Sequence, residues 1–544
     1  MRRLSGLDAA FLALETPTST GHVGGLSILD PSTSPEPLDL ARLTALMGSR
    51  LHRVPVLRQR LQTVPLGIDQ PVWVDDEHFD IGYHIREIGL PQPGSDEQLA
   101  EQIARIHARP LDRSRPLWET YLISGLAGGR MAAYTKVHHA AMDGVSGVEL
   151  LTLLFDLAPD IEIPPLVDDF RPEPGPGSLS LGVRGVARLA TRPLELVRLA
   201  ANAAKAIPAV APVTGPLFGG LLGLGGSGTT SVAGDGQVIP SPTPLVAPAT
   251  PLNVAISPHR RFAFASVSLD EVKFVKSALG VSVNDVVMAM CAGALRRWLE
   301  VHDGLPDGPL VAMVPVSVRD DSSAHGGNKV SAMLPALPTH LPTPLERVAV
   351  TREATMLAKS HQAFIPPGLV DEVTAFAPPA LTHRGTRLVF ASGILHKAPA
   401  FNTVISNVPG PNIPVYLAGA KLLSHHPVSV VIDGLALNIT VIGYLGGLHF
   451  GLVAAREVVP DLDDLMSWLQ EELDLLVDAA RETLEERERE AVEGPKRHRP
   501  ARTGSGATGR SSGRDSGSGS GSGVSARRAP GTGSRSGARR PRSS

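Results

Sequence analysis

The stretch Val137-His138-His139-Ala140-Ala141-Met142-Asp143-Gly144 sets the reading of this chain, because it spells His-His-x-x-x-Asp-Gly between two apolar runs. Before it, Met131 to Val137 is short and apolar and reads as a strand. After it, Val148-Glu149-Leu150-Leu151-Thr152-Leu153-Leu154-Phe155 has the apolar density of a helix laid on a core. Successive side chains of a strand point to opposite faces, so His138 and His139 cannot both enter one cavity while the strand persists. One of them is expected to be a working base. Gly144 suits a backbone conformation closed to other residues, and Asp143 is placed to accept backbone N–H bonds or to pair with an arginine. Three readings compete: general-base catalysis, histidines that only fill a core or surface beside a turn, and a metal site. Adjacent histidines with Asp-Gly are an odd way to fill a core. Strand alternation separates the imidazoles, and no cysteine cluster or His-Glu-x-x-His helix supplies further ligands, so no metal is expected.

At 544 residues and 42% hydrophobic content, with a mean hydropathy near zero, the chain is long enough for more than one well-cored domain. Cys291 is its only cysteine, which rules out an internal disulfide and points to a reducing compartment. It lies in the apolar run Val286 to Ala294, as a core thiol rather than a nucleophile. Asp8 and Glu15 interrupt the opening before a secretory apolar region forms, so no signal peptide is expected. From Pro495 onward twelve Lys and Arg face Asp515 alone, a net +11, which leaves −14 on residues 1–494. That Gly/Ser/Arg tail cannot offset its ordering entropy; it reads as a solubilising segment, with anionic lipid or nucleic acid as weaker candidates for a partner.

Strand-like and helix-like patterns alternate on both sides of a Pro/Gly-rich region. The expected organisation is an N-terminal half over 1–167, a linker over 168–258, a C-terminal half over 259–490 and a disordered basic tail over 491–544. In the first half, helices are expected near Ser5–Glu15, Leu40–Arg53 and Gln98–Ala108, and a strand at His22–Leu29. In the second, Phe262–Val267 and Leu310–Val318 read as strands, and Ser282–Leu299 as an apolar helix. Asn402–Pro411 is a strand entering a rigid turn, Leu435–Tyr444 and Leu448–Ala454 form a hairpin, and Asp461–Glu490 is a helix burying Leu465, Trp468, Leu469, Leu473 and Leu476. Within the linker, Arg184, Arg188 and Arg192 fall four apart in a possible basic amphipathic helix over Leu179–Lys205, either a membrane-surface element or a solvated strap. Prolines at 208, 212 and 216 argue against a spanning helix over 206–234. A second pair, His425-His426, precedes Asp433-Gly434 with the wrong spacing and is read as a decoy.

Taken in order, these segments resemble the bacterial wax ester synthase/diacylglycerol acyltransferase family, within the CoA-dependent acyltransferases that carry His-His-x-x-x-Asp-Gly. The resemblance rests on that signature and on Leu7–Thr16, Leu111–Glu119, Val283–Val287, Val314–Arg319, Gly327–Lys329 and Ser406–Pro411. It implies an α/β (α+β) fold of two chloramphenicol-acetyltransferase-like halves, joined by the long linker, with a tunnel between them. His139 is then the base that takes a proton from an acceptor hydroxyl as it attacks an acyl-CoA thioester, His138 and Gly144 complete the motif, and Asp143 holds its shape. Pro116, Leu117 and Trp118 are implied to line or support the substrate channel, and Asn284 and Asp285 to lie near the reacting centre. Asn284 is read as an oxyanion or acceptor contact, or equally as a helix cap. The resemblance further implies acyl-CoA as co-substrate with no cofactor, diacylglycerol or a long-chain fatty alcohol as acceptor, and a cytoplasmic protein on the inner membrane face or lipid droplets. A carrier-protein-dependent acyltransferase or condensation enzyme, and a non-catalytic lipid-surface binding protein, remain the alternatives. Gly21 stands before His22 where the family pattern leads one to expect methionine.

Overall fold

The strand-like runs assemble into two large sheets in the computed structural model, which describes residues 2–142, 153–165, 170–188, 231–232, 238–239, 247–318, 329–361 and 399–493. Strands His22–Asp30 and Met131–His138 pair antiparallel from His22 against His138 to Leu29 against Met131. Trp118–Ser124 lies on the far side of Met131–His138, followed by Ile85–Gly89 in parallel. The free edge of His22–Asp30 is taken by Ala420–Val428, a strand of the C-terminal half, with Tyr416–Leu417 beyond it. A bare edge is a row of unpaired backbone groups, and here the other half satisfies it. The second sheet runs Arg260–Ser268, Gly447–Ala455, Leu437–Tyr444, Thr403–Val408, Leu310–Val318 and Lys329–Met333, with Ala336–Leu337 also on Leu310–Val318.

Residues up to Arg489 form one compact unit and Glu490–Ser544 a second. Within the first, the core crosses the expected boundary between halves. Leu26, Ile28, Tyr134, Leu99 and Ile103 pack in one buried cluster with Phe262, Val428, Ala436 and Val453. The helix Asp96–His107 reaches this core because Ser95 caps it, Gln98 closes the capping box, and Leu99, Ile103 and Ile106 recur on one face. Each such side chain, at 1% exposure or less, stabilises the unit by about 1.5–3 kcal/mol relative to remaining in water.

In the second core, helix Val283–Val301 starts at Ser282, whose hydroxyl accepts the Asp285 N–H while the Asp285 side chain reaches back to the Ser282 N–H. Cys291 on this helix is fully buried, and burial pushes its thiol up to about 12. Leu465, Leu469, Leu473 and Leu476 of helix Leu462–Glu493 are buried as expected. Trp468 is not: it stays half-buried under the Arg297 guanidinium, 4.8 Å from its ring centroid. The expected hairpin turns at Leu445 and Gly446, both with positive φ, the twist that a two-residue loop requires.

Of the linker helix, 178–188 is described, and Leu181 packs it on Val64, Val72 and Val74. The rest of that helix, Asp143, Gly144, most of Val148–Phe155, Arg319, Gly327, Asn328, 206–230 and the tail lie outside the described residues. Among the described residues, no single helix is long and apolar enough to cross a membrane.

Candidate active site

The strand that carries the signature ends at its first histidine. His138 donates its backbone N–H to the Leu117 carbonyl at 2.9 Å, and His139 donates its own to the Gly21 carbonyl at 2.8 Å. A one-turn helix, His139–Met142, begins there. Strand alternation therefore does not separate the two imidazoles; the change from strand to helix does. His138 has 1% of its side chain exposed, whereas His139 is only half-buried.

Both ring nitrogens of His138 are engaged. Nδ1 accepts the Ala140 N–H at 3.0 Å, which assigns the proton to Nε2, and Nε2 donates to Glu15 Oε1 at 3.0 Å. Glu15 also accepts the Gly21 N–H at 2.9 Å and pairs with Arg113, whose Nε lies 2.9 Å from Oε2. Burial opposes ionisation of Glu15, but the interaction with His138, the Arg113 charge and the Gly21 bond outweigh it and hold the carboxyl at about 2. Gly21 is demanded by close approach: a Cβ there would lie 2.7 Å from His138 Nε2. The departure from the expected methionine thus has a local steric counterpart. The imidazole of His139 stacks on Phe11, with centroids 3.7 Å apart and planes at 17°.

The loop that supplies Gly21 is fastened on its other side to the C-terminal half. Thr18 Oγ1 donates to Asp433 Oδ2 at 3.3 Å, the Asp433 N–H donates to Ser19 Oγ at 3.2 Å, and Arg260 donates to the Thr18 carbonyl. Asp433 Oδ1 also accepts the Ile256 N–H at 2.9 Å. The acid that follows the decoy pair is thus a fastening between strap and second half.

Pro116, Leu117 and Trp118 are all buried, directly beside the histidines. Leu117 anchors the His138 backbone; the Trp118 indole N–H donates to the Leu57 carbonyl at 2.7 Å and its ring stacks on His84. They support the strand end. Asn284 and Asp285 lie on another element, the start of helix Val283–Val301. The capping role considered for Asn284 belongs to Ser282, because the hydroxyl one residue before the first turn is the group that reaches its third N–H. Asp285 is buried and takes the Thr355 hydroxyl at 2.6 Å as well as Ser282, so its carboxylate is occupied within the fold; Asn284 is half-buried. Among the described residues, no three His, Cys, Asp or Glu side chains converge as metal ligands. Phe11, Glu15, Gly21 and Arg113 lie in or beside segments that the sequence marks, yet their roles are not legible there, because each acts across 98 or more residues of chain.

Residues 4–287 match the family model described as the wax ester synthase/diacylglycerol acyltransferase catalytic domain, and 326–477 match the C-terminal domain of the same family. A Mycobacterium tuberculosis protein named as a probable diacylglycerol O-acyltransferase is 37% identical over 469 residues, covering 86% of this chain and 96% of the relative. The O-acyltransferase WSD of Acinetobacter baylyi is 34% identical over 484 residues, covering 87% and 97%. Among solved structures, the wax ester synthase/diacylglycerol acyltransferase from Marinobacter aquaeolei VT8 superposes with a TM-score of 0.61 at 31% identity, covering 88% of this chain and 100% of that one. With both family domains matched in order and relatives above 30% identity over nearly their whole length, the chain belongs to the wax ester synthase/diacylglycerol acyltransferase family and is an acyltransferase.

Proposed function

We propose that this protein moves a long-chain fatty acyl group from acyl-CoA to the hydroxyl of diacylglycerol, of a long-chain alcohol, or of both, with His139 as general base. The observation that carries this assignment is the difference in exposure of the pair. His138 is buried, while His139 stands at the strand end, partly exposed, with its ring plane fixed against Phe11. An alcohol is a poor nucleophile near neutral pH, so a neutral imidazole within reach takes its proton as the O–C bond forms. The tetrahedral oxyanion collapses with cleavage of the C–S bond, and the departing CoA sulfur recovers the proton from the imidazolium. Asn284 is proposed as a polar contact to the oxyanion or acceptor in a channel between the halves, and Asp143 and Gly144 as the residues that hold the motif's turn. No acyl-enzyme is invoked: Cys291 is buried with its thiol pushed up to about 12, and the chain has no Gly-x-Ser-x-Gly elbow before its tail.

Peripheral membrane or lipid-droplet association, on the cytoplasmic side, belongs to the same proposal. It is supported by Leu179, Val183 and Val186, 83%, 63% and 60% exposed on the 178–188 helix, and by Leu66 at 89% on the adjoining turn. Arg184 and Arg188 lie on the same helix. Apolar side chains flanked by arginines match the chemistry of an anionic lipid surface.

The test is release of CoA thiol from palmitoyl-CoA with dioleoylglycerol or hexadecanol, comparing the wild type with His139→Ala. Acceptor-dependent release that collapses in the variant is expected, and the better acceptor assigns the product class. Folded wild type that releases no CoA with either acceptor would overturn the reading in favour of a carrier-dependent or non-catalytic protein. Sedimentation with anionic vesicles, weakened by Leu66→Asp with Val183→Asp, tests the surface.

A further inference from the structure

We propose that Phe11 and Glu15 are positioning residues for His139: one segment of chain, the helix Gly6–Leu14 and its C-cap, sets both where the base enters the site and the plane in which its ring lies. This rests on the assignment of His139 as base.

Two independent contacts carry it. Phe11 covers one face of the His139 imidazole at 3.7 Å and 17°, near-parallel contact that restricts rotation of the ring. Glu15, four residues on and one helical turn away, does not touch His139; it binds the two groups that determine where His139 sits. Its Oε1 takes the Nε2 proton of His138, the preceding residue, and the N–H of Gly21, whose carbonyl in turn accepts the backbone N–H of His139. Arg113 clamps the other carboxylate oxygen. The acid is therefore not the partner of a charge relay to the base. It fixes a small frame of Gly21, His138 and the His139 backbone, and Phe11 fixes the ring within that frame. A general base acts only within about 2.6–3.2 Å of the proton it removes, and a misplacement of about 1 Å costs roughly 10²-fold in rate. Gly21 belongs to the Thr16–Gly21 strap that Asp433 and Arg260 hold from the second half, so the frame is also referenced to that half.

The experiment compares full-length wild type with Glu15→Ala, Glu15→Gln, Phe11→Ala, Phe11→Leu and Phe11→Tyr, using His139→Ala as reference. With palmitoyl-CoA and the better acceptor, Glu15→Ala and Phe11→Ala are expected to lower kcat about 10²-fold, with KM for palmitoyl-CoA within about twofold of wild type. Glu15→Gln keeps an acceptor oxygen and Phe11→Tyr keeps a ring, so both should recover most of the loss. Phe11→Leu, which keeps apolar bulk without a plane, should recover little and carries the test if the alanine variants fail to fold. A role in stability alone would lower the melting temperature while leaving kcat per folded molecule unchanged, and that result overturns the proposal. Modification of His139 by diethyl pyrocarbonate, followed by peptide mass spectrometry, needs no turnover: release of the ring should raise its rate severalfold in Phe11→Ala and Glu15→Ala. If His139→Ala retains full activity, the assignment of the base has failed, and the modification rates still decide positioning. Equal rates in all variants overturn it.

Discussion

Two histidine pairs flank one strand, His22–Asp30, in the same sheet, and their fates differ. On one side His138 lies opposite His22, at the strand's end; on the other, His425 and His426 lie opposite Ser27 and Leu26, in mid-strand. The second pair obeys the alternation of an extended chain, so its rings go to opposite faces and both are absorbed by the fold. His425 Nδ1 lies 2.9 Å from the Ser27 hydroxyl. His426 donates from Nδ1 to the Phe450 carbonyl at 2.9 Å, and its Nε2 meets the Ser424 hydroxyl. Burial pushes His425 down to about 4 and His426 to about 3, so both are neutral fixtures near neutral pH. In the first pair the strand stops between the residues, and the second imidazole turns out with a helix. The lesson is that the fold absorbs a dyad in mid-strand and leaves one ring partly exposed where the strand ends.

The sharpest way to break this comparison is exchange of function for stability. His139→Ala should lower kcat by about 10²–10⁴ with little change in melting temperature, since a half-buried ring is lost. His426→Ala should do the reverse, with unfolding free energy down by about 2–4 kcal/mol in urea titration and kcat per folded molecule retained, because it leaves a cavity at a buried ring and removes the bonds to the Phe450 carbonyl and the Ser424 hydroxyl. An active-site loss in His426→Ala at full stability would contradict the account. Gly21→Ala comes next: its Cβ presses on the His138 ring, and a cost of about 1–3 kcal/mol with a reduced kcat is expected from the shifted frame.

The smallest effect per residue is in pH. The folded pKa values of His426 and His107, about 3, and of His425, about 4, lie below the ordinary 6.5. The unfolded chain therefore binds protons that the native state refuses. Stability from these groups is complete above about 6.5 and declines as pH falls toward their folded values, by at most ~1.4 kcal/mol per pH unit for each. Glu15 acts in a lower window: its contribution is present above 4.5 and is lost as pH falls through about 2. Urea unfolding at pH 7.5, 6 and 5 should show the histidine slope, flattened by about one proton in His426→Leu; a flat profile across that range would sink this assignment.

Much of the architecture was legible locally. Ser5 caps the helix expected at the start of the chain, the helices around Gln98–Ala108 and Ser282–Leu299 stand where periodicity places them, and so do Leu310–Val318 and the hairpin around Leu445-Gly446. The signature marks His138-His139 as the place to look, and the structure sets Leu117 beside it, its carbonyl accepting the His138 N–H. Trp468 was misjudged because a helical stripe has edges, and an arginine stacking on an indole keeps an edge position partly wet. The cap considered for Asn284 is taken by Ser282, and Asp433, which the sequence groups with the decoy, fastens the strap beside His138 and His139.

The sequence by itself determined the mixed fold class, most element positions, the inert cysteine and the histidine pair at which to look. Those features depend on periodicity, capping and turn chemistry, interactions that span a few residues. Only the tertiary structure decided that Ala420–Val428 completes the first sheet, that the core runs across both halves, and that Phe11, Glu15 and Arg113 converge on His138 and His139. Pairing a strand edge with a segment almost 400 residues away, or bringing a carboxylate to an imidazole 123 residues on, is selected by the packing of the whole chain.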